Sequence, residues 1–108
     1  MKVSEQADTD LRSIYEYIAF ELKSIKNASG QLDRLEKGIM SLEQMPERFR
    51  LYENEPWHSR GLHIMPVDNY CVLYILDKEN SLVTIIRVMY GGRDIDSELQ
   101  THKFVRCI

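Results

Sequence analysis

The chain has 108 residues, of which 44% are hydrophobic and 29% are charged, and its formal net charge is -3. This length and composition predict a single globular domain over residues 1–108 and exclude a disordered chain. The acidic balance disfavours a dedicated nucleic-acid binder, because phosphate contacts supply most of such a protein's affinity. The sequence contains neither a long apolar run nor an N-terminal signal pattern, so we expect a cytoplasmic protein without a membrane span.

The cysteines and histidines do not form a recognisable metal motif. Cys71 lies within a predicted strand and Cys107 lies next to the C-terminal residue, a spacing that indicates a reducing compartment more than a metal site. His58, His63 and His102 are scattered along the chain. We therefore expect no bound metal and no cofactor.

The N-terminal half predicts a weak edge strand at residues 1–4 and then two amphipathic helices. Asp8 or Thr9 is the expected cap of the first helix, whose apolar stripe consists of Leu11, Ile14, Tyr15, Ile18, Leu22 and Ile25. Residues 27–30 interrupt the stripe. A second helix follows and ends before Pro46, since the residue before proline avoids helical geometry. So short a connection predicts an antiparallel helical hairpin.

The C-terminal half predicts three strands, at residues 61–67, 70–76 and 82–89. A tight turn at residues 68–69 and a loop at 77–81 join them as hairpins. The third strand is rich in β-branched residues and nearly all apolar, which favours a position inside the sheet, covered on both faces. The connection at residues 46–60 is expected to tuck its aromatic side chains under the helices. The segment 95–108 is compatible with a short helix followed by a further strand.

This order of elements predicts an α+β fold. The N-terminal helical hairpin should pack on one face of a three- to four-stranded antiparallel sheet, because each apolar helix face needs a partner layer.

Four groups of residues, together spanning residues 3–99, resemble the RelE/ParE superfamily. The first helix contributes Ala7, Asp10, Leu11, Ile14, Tyr17 and Ile18, and the second helix ends with Leu42 and Pro46. The first predicted hairpin contributes Gly61, Val67, Asn69, Tyr70, Val72 and Tyr74. The last strand and the turn after it contribute Ile85, Arg87, Val88, Tyr90, Arg93 and Asp94. The superfamily comprises the toxins of type II toxin–antitoxin modules, including those of plasmid-stabilisation type.

The resemblance implies a growth-inhibiting toxin that a cognate antitoxin neutralises. RelE-like members of the superfamily cleave messenger RNA in the ribosomal A site, whereas ParE-like members poison DNA gyrase. Cys71 and His63 stand where RelE-like nucleases tend to carry basic residues, and no tyrosine follows Arg93-Asp94. These departures slightly favour a ParE-like action on gyrase. The alternatives are a ribosome-dependent mRNA endoribonuclease and an inactive relic that acts only as an antitoxin-binding co-repressor.

In the nuclease alternative, the candidate catalytic residues are Arg93, His63 and Arg87. Arg93 would stabilise charge on the phosphate, His63 would transfer a proton, and Arg87 would add positive field. Each has a structural alternative: Arg93 pairs with Asp94, Arg87 braces a carboxylate on a neighbouring element, and His63 is an ordinary strand residue.

Four further residues are candidates for binding a target or partner. Arg60 would add positive charge, and Tyr90 would stack on a base. Tyr17 and Phe20 extend the apolar surface of the first helix and would suit an antitoxin or a target groove. The alternative is that the connection at residues 46–60 covers these two aromatic rings.

Overall fold

The computed structural model describes residues 1–91, which form two α-helices packed on a four-stranded sheet. The elements in chain order are β1 Lys2–Val3, α1 Glu5–Glu16, a π-helical turn Tyr17–Glu21, α2 Ile25–Ser41, β2 Leu62–Val67, β3 Tyr70–Asp77 and β4 Leu82–Tyr90. The predicted α+β fold with a helical hairpin is confirmed. No helix in this part of the chain is both long and apolar enough to cross a bilayer.

The strand order in the sheet is β1-β4-β3-β2. The β2–β3 and β3–β4 pairs are antiparallel hairpins, as predicted. The β1–β4 pair is parallel, so the expectation of a wholly antiparallel sheet is wrong at this edge. Both helices and two strands separate β1 from β4 in the chain, which gives the connection ample length to return in the same direction. The weak first strand therefore does form, and it places β4 inside the sheet.

Helix α1 begins four residues earlier than the capping pattern predicts. Its cap is Ser4, whose hydroxyl accepts a hydrogen bond from the Ala7 N–H at 3.0 Å and donates one to the Ile86 carbonyl at 2.8 Å. The hydroxyl thus satisfies a helix donor and fastens the start of the helix to β4 at once. Asp8, one of the two expected caps, instead lies in the first turn, where its charge is favourable to the helix dipole.

The hairpin turn lies at residues 22–24, earlier than the predicted break at 27–30. Lys23 has a positive φ of 53°, and Ser24 caps α2 by accepting from the Asn27 N–H at 3.2 Å. The apolar stripe misplaced the turn because Leu22 and Ile25 continue its period, yet both side chains are more than half exposed. Helix α2 ends at Ser41, and turns connect it to Pro46, the predicted limit.

The sheet has an apolar cluster on each face. The cluster under the helices joins residues of α2 to alternate residues of the strands and includes Leu35, Ile39, Met65, Val72, Tyr74 and Ile85. The opposite face carries a smaller cluster that includes Leu62, Ile64, Leu73 and Met89. The sequence placed all the aromatic residues of the connection under the helices. This is correct for Phe49 and wrong for Tyr52 and Trp57, which cover the opposite cluster.

A β-bulge in β4 controls which side chains face the helices. The register passes from Tyr74–Ile85 to Leu73–Arg87, so Ile86 is an extra residue in β4. Residues three apart in a regular strand point to opposite faces. Because of the bulge, Ile85 and Val88 both enter the cluster under the helices. The same irregularity sets the position of Arg87.

Tyr74 should make the folded protein less stable at alkaline pH. Its side chain is fully buried and its hydroxyl donates to the Pro46 carbonyl at 2.6 Å, and burial raises the pKa of Tyr74 from 10.0 to about 12. The unfolded chain ionises first, so this contribution to stability is complete below pH 10 and is lost as the pH rises toward 12. When urea unfolding is measured across this pH range, the free energy of unfolding should fall less steeply with pH for Tyr74→Phe than for the unchanged chain. Equal slopes would contradict the assignment.

Candidate functional site: a cleft between the hairpin and the sheet

An open cleft of about 1180 Å³ lies between the turn of the helical hairpin and the adjacent ends of β3 and β4. Its lining combines apolar and aromatic side chains with several charged groups. The residues that give it its character are Asp10, Tyr17, Lys26, Arg34, Tyr70, Arg87 and Tyr90. No two of the three tyrosines are neighbours in sequence, and the fold brings them together.

An ion pair between Asp10 and Arg87 contributes to the wall of the cleft. The Arg87 Nε and Nη2 atoms lie 2.7 Å and 3.2 Å from the two carboxylate oxygens of Asp10. The same carboxylate accepts the Val88 N–H at 3.0 Å. The two side chains are only 12% and 11% exposed, so the pair is largely desolvated and hydrogen-bonded at both oxygens. It fixes the middle of α1 against β4, directly after the bulge.

Three tyrosines, Tyr17, Tyr70 and Tyr90, line the cleft. The rings of Tyr70 and Tyr90 meet edge to face, with centroids 5.8 Å apart. Tyr17 and Tyr90 are each about half exposed, at 55% and 52%. Burial raises the pKa of Tyr70, and the nearby hydroxyls of Tyr90 and Tyr17 add to the increase. Tyr70 therefore stays neutral at physiological pH.

A second ion pair holds a basic side chain at the α2 side of the cleft. The Arg34 Nε lies 2.6 Å from Oδ2 of Asp68, and the Gln31 amide donates to the same oxygen at 3.0 Å. These hydrogen bonds, that of Arg34 above all, lower the pKa of Asp68. Asp68 lies in the predicted two-residue turn, where it has a positive φ of 54°. Its contact with Arg34 therefore connects α2 to the β2–β3 hairpin.

The family model for the ParE toxin of the type II toxin–antitoxin system parDE matches residues 1–95. The chain belongs to the ParE toxin family. The resemblance to the RelE/ParE superfamily, inferred from four groups of residues, is confirmed. No curated protein matches the sequence.

Three solved structures share the fold of this ParE-family toxin at low sequence identity. The chromosomal ParDE toxin–antitoxin system from P. aeruginosa has a TM-score of 0.67 and 16% identity, covering 82% of this chain and 91% of that one. The RelBE2 toxin–antitoxin complex from Mycobacterium tuberculosis has a TM-score of 0.58 and 20% identity, covering 82% and 93%. The isolated E. coli RelE toxin has a TM-score of 0.57 and 16% identity, covering 95% of each chain.

Among the candidate catalytic residues of this ParE-family toxin, His63 lies away from the cleft. Its side chain faces the helix side of the sheet and is 7% exposed. The ring stacks on Tyr74 with centroids 5.1 Å apart, and its Nδ1 is 2.9 Å from the Gly61 carbonyl. The structural alternative given for His63, an ordinary strand residue, agrees with this buried position.

The other candidates divide between the cleft and the rest of the surface. Arg87, Tyr90 and Tyr17 line the cleft. Phe20 lies on the π-helical turn and is 68% exposed, so the connection does not cover it. Arg60 is stacked over the Trp57 ring at 5.1 Å and is not among the residues that line the cleft. Arg93 lies outside the described residues 1–91.

Cys71 is not activated as a nucleophile. It is partly buried beside Gly91, and burial raises the pKa of its thiol, which disfavours the reactive thiolate. Lys26 and Arg34, which line the cleft, were not predicted as site residues, and Tyr70 and Asp10 were named only for the family resemblance. The alternative given for Arg87, that it braces a carboxylate on a neighbouring element, agrees with its pairing with Asp10 on α1.

Proposed function

We propose that this ParE-family toxin arrests growth by acting on DNA gyrase and that a cognate antitoxin neutralises it. The choice of target rests on the contacts of two described residues that a nuclease would use. His63 is packed against Tyr74, and the guanidinium of Arg87 is bound to Asp10. Neither group is available to a messenger RNA in the cleft.

The chemistry of RNA cleavage explains why this matters. Cleavage without a metal requires a group that activates the 2′-hydroxyl, a group that protonates the leaving oxygen, and cationic stabilisation of the phosphate. Within residues 1–91, the cleft lining contains no histidine and its one carboxylate, Asp10, is held by Arg87. The tyrosine hydroxyls are poor proton acceptors near neutral pH. These properties favour action by protein binding over RNA cleavage.

An antitoxin partner is supported by family membership and by the related structures. Two of the solved structures that share the fold are toxin–antitoxin assemblies, ParDE from P. aeruginosa and RelBE2 from Mycobacterium tuberculosis. The exposed aromatic residues Tyr17 and Phe20 provide surface for such a partner.

An mRNA endoribonuclease is the alternative, and one observation favours it. Tyr17, Tyr70 and Tyr90 form an aromatic group beside basic side chains, an arrangement that can stack on unpaired bases. In this alternative Arg93 is the principal cation.

Induction of the gene in cells separates these functions. We expect growth arrest with intact transcripts, and with purified gyrase the full-length toxin should accumulate broken DNA. His63→Gln should retain arrest once its folded fraction is matched, whereas loss of a true proton-transfer group lowers a rate by about 10² to 10⁴. Cut transcripts that disappear in Arg93→Ala would establish the nuclease instead. Absence of arrest by a folded protein would indicate a relic that only binds its partner.

A further inference from the structure

We infer that the outer surface of the hairpin turn is a self-association surface, at which two copies of this chain pair about a two-fold axis. This surface, the hairpin tip, consists of Phe20, Glu21, Leu22, Lys23 and Ile25. Of these residues only Leu22 also lines the cleft. The inference goes beyond the proposed function, because the pairing of two copies does not depend on what the toxin acts on.

The hairpin tip presents three large apolar side chains that the rest of the described chain leaves uncovered. Phe20, Leu22 and Ile25 lie within six consecutive residues and are 68%, 58% and 64% exposed. Single exposed apolar residues are ordinary on a soluble protein, whereas a contiguous group indicates a surface that another molecule covers. The aromatic side chains of the connection at residues 46–60 pack on the two faces of the sheet instead.

The backbone of the turn holds these side chains outward in conformations that are uncommon. Residues Tyr17–Glu21 form a π-helical turn, in which the Leu22 N–H donates to the Tyr17 carbonyl at 3.2 Å. Such turns are rare and occur frequently at functional sites. Lys23 has a positive φ of 53°, a conformation that glycine adopts more readily than a residue with a side chain. A lysine at a position that favours glycine supports a use for its ammonium group.

The charges around the hairpin tip are balanced, and this balance favours a second copy as the partner. Two acids, Glu16 and Glu21, precede Leu22 in the chain, and two bases, Lys23 and Lys26, follow it. All four are exposed, and none forms an ion pair among residues 1–91. A surface for a strongly acidic or basic partner would carry a net charge of the opposite sign. Equal and opposite charges that flank an apolar centre are self-complementary, as pairing about a two-fold axis requires.

The paired arrangement places the two-fold axis at the apolar centre of the hairpin tip. The acids of one copy then face the bases of the other, and each contact occurs twice. Three apolar side chains form a small centre, whereas each partner in a typical specific interface buries about 800 Å². We therefore expect a weak dimer that depends on concentration. Phe20 is also part of the surface proposed for the antitoxin, so a bound antitoxin would compete with the second copy.

Sedimentation velocity of the purified full-length chain over a wide range of concentration tests the inference. We expect a monomer–dimer equilibrium, in which Phe20→Ser raises the dissociation constant by roughly tenfold or more, as loss of a central anchor does. Met40→Ser is the matched control, because Met40 is 67% exposed near the other end of α2 and should leave the equilibrium unchanged. Circular dichroism should show that both variants remain folded.

Charge reversal separates the pairing of two copies from any other occupant. Glu21→Lys and Lys23→Glu should each weaken the dimer, because each places like charges opposite one another across the axis. An equimolar mixture of the two variants should form a heterodimer, and both changes in one chain should restore self-association. A variant that had merely unfolded could not regain pairing in this way. Lys37→Glu, which reverses a 76% exposed charge farther along α2, should leave the dimer unchanged.

Each contrary result overturns the inference in a recognisable way. A chain that stays monomeric at every concentration would exclude self-association, and a dimer that Phe20→Ser and Met40→Ser weaken equally would place it on another surface. Failure of Glu21→Lys to associate with Lys23→Glu would exclude the self-complementary charges. Loss of gyrase inhibition in Phe20→Ser, without a dimer of the unchanged chain, would assign the hairpin tip to the target instead. A dimer with the expected properties, in a chain that never arrests growth, would support the inference and contradict the proposed function.

Discussion

Asp10→Ala is expected to lower the free energy of unfolding by about 3–5 kcal/mol, because it leaves Arg87 charged and largely buried without a partner. The two side chains are 11% and 12% exposed, so water cannot fully replace the lost contact. The Val88 N–H also loses its acceptor. The measurement is urea unfolding, in which the midpoint should fall while the dependence on denaturant stays constant.

The exposed pair between Asp8 and Arg12 is the matched control on the same helix. Its side chains are 65% and 68% exposed and its N–O distance is 3.3 Å, so Asp8→Ala should cost at most about 1 kcal/mol. The double variant Asp10→Leu with Arg87→Met removes both charges and should recover most of the loss, although the Val88 N–H remains without its acceptor. Equal costs for Asp10→Ala and Asp8→Ala would contradict a structural role for the buried pair.

The sheet could be predicted from sequence because its signals are local. The three strands and both hairpin connections follow from alternating apolar residues and from turn-forming residues such as Asp68. The interior position of β4 follows from its β-branched run. The parallel pairing of β1 could not be predicted, since a strand of two residues has almost no periodicity and its partner lies more than eighty residues away.

The hairpin turn was misplaced because an apolar side chain can either pack in the core or stay exposed at the surface. Ile18 packs against the second helix, whereas Leu22 and Ile25 stay exposed at the turn. Hydrophobic periodicity treats all of these as core. The stripe therefore extended α1 through residues that line or border the cleft, and an exposed apolar surface was counted as packing.

The cleft itself could not be assembled from the sequence. Asp10 and Arg87 are 77 positions apart, and Arg34 meets Asp68 across 34 positions. The β-bulge that positions Arg87 adds one residue to β4 and leaves no clear signature in a strand that is nearly all apolar. Tyr17 and Tyr90, which the sequence suggested as binding residues, both line the cleft, and their role in binding stays a prediction.

Leu35→Ala is expected to lower the free energy of unfolding by about 3 kcal/mol, within the range for a buried leucine cut back to alanine. Leu35 is fully buried on α2, in the cluster that also contains Met65, Val72 and Tyr74. The strands fix the opposite side of this cluster, so the helix can move only slightly to fill the space. The cost should therefore include both lost apolar burial and a residual cavity.

Met40→Ala on the same helix separates this packing effect from helix propensity. Met40 is 67% exposed, and alanine is at least as good a helix former, so the change should stay within about 0.5 kcal/mol of the unchanged chain. Thermal and urea unfolding of the two variants should therefore differ clearly. If Leu35→Ala were as stable as Met40→Ala, α2 would not be packed on the sheet through Leu35. The cleft would then lose the rigid wall that carries Gln31 and Arg34.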